Sequence, residues 1–406
     1  MGGLGWIDFS PDHRARVATV LELLKPEGRV DELGIGVIRD ALSDSMFPGI
    51  STIQTRAKYF LIVPRIFKEY QTRYTNKNSR PKLQDYLRER ENHIIRTLAE
   101  KYKDDEEPGI YGITLVGTRR ELVRKPSSIY WTGLRLFRII RTDLSLTEYL
   151  AQHDRQQSII ELLAATEERK GDDGDAGYDD AFGISLPDGN QQWDRDLTID
   201  LSDEEAGFLR DKIIDHHGDK LIGQVLKEKS RMARFIQIGT FMDMSALFLE
   251  KPLPQRVKTI LRLARGFDAI IHGAHIRYNC LLQEKYGTRE QQNKFEERWQ
   301  EWRQRIVASG VFGTFDESLL FDLATTLKPE TEGFVRNWVV GLRQAKPEAD
   351  LDRLVIAQER WNKGGKARLR PGGVEKADDW IGIDGLSYRF PVAQTIVRDI
   401  RKGLGW

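Results

Sequence analysis

Apolar residues recur three and four positions apart through most of this sequence, and that helical period is the strongest restriction on its fold. Tyr59, Val63, Phe67, Tyr70 and Tyr74 form one stripe within Thr52–Tyr74, where Pro64 predicts a kink. Ser10-Pro11 opens a helix over His13–Leu24, and further helices follow at Ile35–Ser43, Lys82–Tyr102, Ser127–Ile140 and Leu146–Arg169. Ser202 and Glu205 have capping-box spacing and open another helix. Helical spacing then continues over residues 219–236, 242–249, 254–285, 288–307, 316–325, 331–342, 349–361 and 391–402. Strand-like alternation is confined to Tyr111–Leu115 and Val123. The expected fold is mainly α, a multi-helix globular protein with little strand.

Composition sets the class. Of 406 residues, 40% are hydrophobic and the net charge is +1, a balance at odds with disorder of the whole chain. There is no apolar run of roughly 18 residues and no secretion signal at the start, which predicts a soluble, cytoplasmic protein. Cys280 is the one cysteine, so neither a disulfide framework nor a cysteine-based zinc site is expected.

The near-zero charge hides strong segmentation. Residues 56–96 hold 11 Lys and Arg against 4 Asp and Glu, and residues 117–141 hold 7 against 1. Residues 171–205 reverse the balance, 1 against 12, and residues 353–376 return to 7 against 2. The Gly-, Asp- and Asn-rich stretch 171–201 is the expected boundary between an N-terminal helical part, 1–170, and a C-terminal helical part, 202–406. Basic segments rich in Arg are what phosphate-backbone binding requires; a solvated helix face is the alternative for any one of them.

Five patterns carry possible chemistry. Leu33-Gly34-Ile35-Gly36-Val37 is a helix–hairpin–helix-like turn whose backbone N–H groups could meet a DNA phosphate, or simply a tight helix start. Asp40 and Asp44 lie four apart on the helix that follows, near the Ser51-Thr52-Thr55 hydroxyls and Arg56. Paired carboxylates suit acid or base work, and a capping role is the alternative. Cations and aromatic rings interleave from Arg56 through Arg65 to Tyr74, and again at Arg119, Arg120, Lys125, Tyr130 and Trp131, as DNA backbone contacts and base stacking would need. Asp268, His272, His275 and Asn279 share one helix face; the neighbouring Gly273-Ala274 pair favours close helix packing and a buried polar cluster over a metal site. Lys363-Gly-Gly-Lys366-Ala-Arg368 is a basic glycine loop without Walker spacing, suited to gripping phosphate, and Gly382-Ile-Asp384-Gly385 resembles a second hairpin.

Gly5–Ser10, Asp31–Asp40 and Phe47–Phe60, with Gly273-Ala274, Tyr278-Asn279 and Lys363–Lys366, resemble an uncharacterised bacterial family of unknown function found in phage-defence neighbourhoods. The chain is also similar to a phage-defence DNA glycosylase that removes glucosylated hydroxymethylcytosine from viral DNA. That resemblance implies excision of a modified cytosine from double-stranded phage DNA by one water-orienting carboxylate, with no metal or redox cofactor. Asp44 is the expected carboxylate, with Asp8 and Asp40 as rivals. Helix–hairpin–helix glycosylases place their Asp well after the hairpin, whereas Asp40 and Asp44 follow Gly36 closely. Two other classes fit the residues: a non-catalytic DNA-binding subunit of a multi-gene defence system, and a metal-dependent nuclease using Asp268, His272 and His275.

Overall fold

The computed structural model describes residues 31–74, 80–106, 108–115, 118, 122–155, 183–187, 193–195, 197–372 and 380–406. In chain order the helices that carry the argument are α1 (Gly36–Met46), α2 (Tyr59–Tyr74), α3 (Leu83–Lys101), α4 (Pro126–Leu136), α5 (Asp203–His217), α6 (Lys229–Gln237), α7 (Gln255–Tyr286), α8 (Arg289–Ala308), α9 (Pro329–Arg343), α10 (Glu348–Lys363) and α11 (Phe390–Gly403). Among the described residues there is no β-strand; one isolated antiparallel bridge joins Ile140 and Ile184. The mainly α fold read from the periodicity is the fold observed. Strands at Tyr111–Leu115 and Val123 are not: Gly112 takes a φ of +75°, a short 3-10 turn spans Ile113–Leu115, and Val123 is fully exposed. No helix among the described residues is long and apolar enough to cross a membrane.

The chain forms two compact units, Met1–Leu42 with Arg262–Leu386, and Ser43–Leu261 with Ser387–Trp406. The divisions fall inside α1, inside α7 and just ahead of α11, and the structure describes only part of the acidic stretch 171–201.

In the first unit, helix packing is set by three tryptophans. Trp299 and Trp302 of α8 stack at 5.0 Å, and the Trp302 Nε1–H donates to the Ala269 carbonyl of α7 at 2.9 Å. A Cβ on Gly273 would stand 2.3 Å from the Trp302 ring, so the close packing read from Gly273-Ala274 is α7 against α8. Trp338 of α9, fully buried, donates to the Ile270 carbonyl at 3.1 Å. Burying each such ring contributes about 2–3 kcal/mol, and the indole N–H is satisfied each time.

In the second unit, α2 is the core helix: Tyr59 through Pro64, Ile66, Phe67 and Tyr70 are buried, and it packs on α3 and α4. The helix runs through Pro64 but begins at Tyr59, not Thr52. The Tyr130 hydroxyl explains the late start, because it accepts the Thr55 and Arg56 N–H groups at 2.9 and 3.1 Å and donates to the Arg56 carbonyl. The Ser202–Glu205 capping box opens α5 as its spacing predicts, and α11 packs on α5 and α6.

Candidate nucleic-acid interface

The first basic block, in the second unit, turns its key cations inward. Arg56 Nε lies 3.1 and 2.9 Å from the two Asp399 carboxylate oxygens, Nη2 donates to Asp200 at 2.8 Å, and Nη1 donates to the Pro108 carbonyl at 2.8 Å. Burial opposes the Arg56 charge, yet Asp399 and Asp200 outweigh it and raise the guanidinium above its ordinary pKa. Burial pushes the Asp399 carboxyl up despite Arg56. Glu205 takes Lys58 on one oxygen and Arg65 on the other, the latter at 3.0 Å. Arg90 pairs with Asp194 at 2.8 Å, and Lys402 with Asp200 at 2.7 Å. The acidic residues Asp194, Asp200 and Glu205 therefore act as internal counter-charges for the basic block (each is taken from the 1-against-12 segment).

Several of the candidate DNA-binding residues have partners inside the unit or are buried in it. Arg56 and Arg65 are held in ion pairs with Asp399 and Glu205. Lys125 reaches Asn92. Tyr130 is fully buried and Trp131 is 5% exposed, so neither offers a ring to a base. Their helix, α4, packs them inward because its apolar stripe faces α2. Arg119, Arg120 and Asp8 lie outside the described residues.

In the first unit, two patterns separated by some 330 residues meet. Asn362 donates to the Asp31 and Glu32 carbonyls at 2.8 and 3.0 Å, and Gln358 donates to the Leu33 carbonyl at 2.7 Å. Lys363 lies 3.4 Å from the buried Glu32 carboxylate. Burial raises the Glu32 pKa, with Lys363 and Arg368 opposing. Gly34 has a φ of +70°, and a Cβ there would stand 2.9 Å from Asn362 Oδ1, so the turn needs glycine to admit α10. The turn's N–H groups do not face outward, however. Ile35 N–H donates to Asp31 Oδ1 at 3.0 Å and Gly36 N–H donates to Asp31 Oδ2, so a carboxylate of the chain already takes the place expected for phosphate.

The basic glycine loop differs in kind. Its backbone is pinned from behind: Glu359, buried, accepts the Arg368 and Leu369 N–H groups at 2.6 and 3.0 Å. Tyr286 donates to the Arg368 carbonyl at 3.1 Å, and Lys285 to the Leu369 and Arg370 carbonyls. The side chains of Arg360, Lys366 and Arg370 are exposed, and among the described residues a Cβ on Gly364 or Gly365 would meet nothing within 4 Å. Arg368 is half-buried.

The remaining candidates have settled local roles. Asp40 pairs with Arg39 at 3.2 Å. Asp44 has a side chain 60% exposed and pairs with Arg389, which also donates to the Ile50 carbonyl at 2.8 Å. Arg389 and Tyr388 both take left-handed backbone conformations, φ +62° and +48°, ahead of α11. Such conformations cost about 1–3 kcal/mol each and persist only where packing holds them; Tyr388 packs on Phe241 at 4.7 Å. On α7, Asp268 accepts the Leu386 N–H at 2.7 Å, and Asn279 exchanges hydrogen bonds with Ile381. His272 stacks on Trp380. Burial pushes the His275 pKa down to about 3. That face anchors segment 380–386, and among the described residues no group of three or more His, Cys, Asp or Glu is placed to hold a metal ion.

Sequence reasoning missed Asp399, Asp200 and Glu205 as partners of the basic block, and Arg389 as the partner of Asp44. It also missed Trp361 near the end of α10, whose ring lies under the Lys328 ammonium.

The family of unknown function DUF6361 matches residues 1–385. No curated protein and no solved structure matches the chain.

Proposed function

For a chain that belongs to this family of unknown function, we propose binding to a DNA backbone through the basic glycine loop of the first unit. The observation that supports this most is the division of labour there: the loop backbone is fixed by Glu359, Tyr286 and Lys285, while the side chains of Arg360 at the end of α10 and of Lys366 and Arg370 in the loop are exposed. A pinned backbone lowers the ordering cost of presenting cations to phosphates. The test is salt-dependent binding of duplex DNA. The reading expects log K to fall steeply and linearly with log salt, and Lys366→Ala with Arg370→Ala to flatten the slope by about two. A slope unaffected by both changes sinks it.

A second reading, excision of a modified cytosine from phage DNA, draws on the resemblance to a phage-defence DNA glycosylase and on Asp44. Its carboxylate is exposed to solvent and fixed by Arg389. Incubating DNA that contains glucosylated hydroxymethylcytosine and assaying abasic sites decides it. Product from the wild type and none from Asp44→Asn supports this reading; unchanged product from Asp44→Asn removes Asp44 from it. Binding without any abasic product leaves the non-catalytic reading standing.

A further inference from the structure

We infer that Trp361 is a stacking platform for an unpaired base, so that the glycine-loop surface takes single-stranded DNA in preference to duplex. This deepens the backbone-binding reading and rests on it. Trp361 lies in the last turn of α10, directly beside Arg360 and ahead of the loop. At 37% exposure it is the only exposed Phe, Trp or Tyr among the described residues, whereas Trp299, Trp302 and Trp338 of the same unit are buried. The Lys328 ammonium stands over its ring, 5.3 Å from the centre, a cation–π contact that brings positive charge onto the platform.

The surroundings match what a single strand requires. Lys328 over the ring and Arg360, Lys366 and Arg370, close to Trp361 in the sequence, are exposed, and among the described residues nothing fills the space over Gly364 and Gly365, where a sugar–phosphate chain could approach the loop. A duplex presents phosphates to the same cations but keeps its base faces stacked inside, out of reach of the indole. The cations thus serve both forms of DNA, and the ring adds affinity only for the form with accessible base faces.

The experiment is a fluorescence anisotropy titration of the full chain against a labelled oligothymidylate and a blunt-ended duplex of equal length. Trp361→Ala is expected to weaken oligothymidylate binding about tenfold and leave duplex binding and both salt slopes unchanged. Trp361→Phe, which keeps a ring, is expected to retain most of the affinity and guards against a folding defect. Equal weakening toward both DNAs, or no change toward either, overturns the stacking role while leaving backbone binding intact. Failure of the wild type to bind either oligonucleotide overturns backbone binding, and the inference with it.

Discussion

Two basic regions of similar composition meet opposite fates. In the second unit, Arg56, Lys58, Arg65 and Arg90 each face a carboxylate, and those carboxylates come from Asp194, Asp200, Glu205 and Asp399. In the first unit, the loop after α10 spends its carboxylate, Glu359, on backbone N–H groups and leaves Lys366 and Arg370 exposed. A run of cations therefore says little until it is known whether nearby acids reach the side chains or the main chain. One arrangement builds a core; the other builds a surface.

The contrast breaks most visibly at Arg56. Removing its guanidinium leaves Asp399 buried without its counter-charge, so Arg56→Ala is expected to cost about 3 kcal/mol or more, read as a urea unfolding midpoint. A loss below about 1 kcal/mol would erase the distinction between the regions.

Glu91 sharpens the contrast from within the second unit, because it is a buried carboxylate with no guanidinium. It accepts the Ser127 N–H and Oγ–H at 2.6 and 3.0 Å, at the start of α4. Burial nevertheless raises its pKa from 4.5 to about 7. The folded state then holds a proton that the unfolded chain has released, so stability falls as pH rises from about 4.5 to about 7. At about 1.4 kcal/mol per pH unit the loss approaches 3 kcal/mol. Urea midpoints at pH 5 and pH 7.5 should show that decline in the wild type relative to Glu91→Gln; parallel pH dependence in the two proteins would argue against it.

Gly34→Ala probes the turn that α10 covers. Both the φ of +70° and the 2.9 Å approach to Asn362 work against a side chain there, and a loss of about 2 kcal/mol is expected. An unchanged melting temperature would show that the turn relaxes freely. Smallest of all is the stability effect of Lys366→Ala with Arg370→Ala, expected within about 0.5 kcal/mol because both side chains are exposed.

What the sequence disclosed was local. The Ser202–Glu205 capping box and the span of α7 follow from spacing within a few turns, and both appear within a residue or two of their expected positions. The start of α2 was hidden because the hydroxyl that holds Thr55 and Arg56 out of the helix belongs to Tyr130, in another helix. The charge blocks could be counted, but Arg56–Asp200 and Arg56–Asp399 span 144 and 343 residues, and counting gives no pairing. The meeting of the Gly34 turn with Asn362 was equally invisible, although each motif was apparent separately.

The most direct measurement of the central claim sets two salt titrations of duplex-DNA binding beside the wild type. One uses Lys366→Ala with Arg370→Ala, the other Arg65→Gln, both under conditions where each protein is folded. The account expects the loop variant to lose about two from the slope of log K against log salt and Arg65→Gln to lose nothing. A flattened slope in Arg65→Gln with an unchanged slope in the loop variant would contradict it.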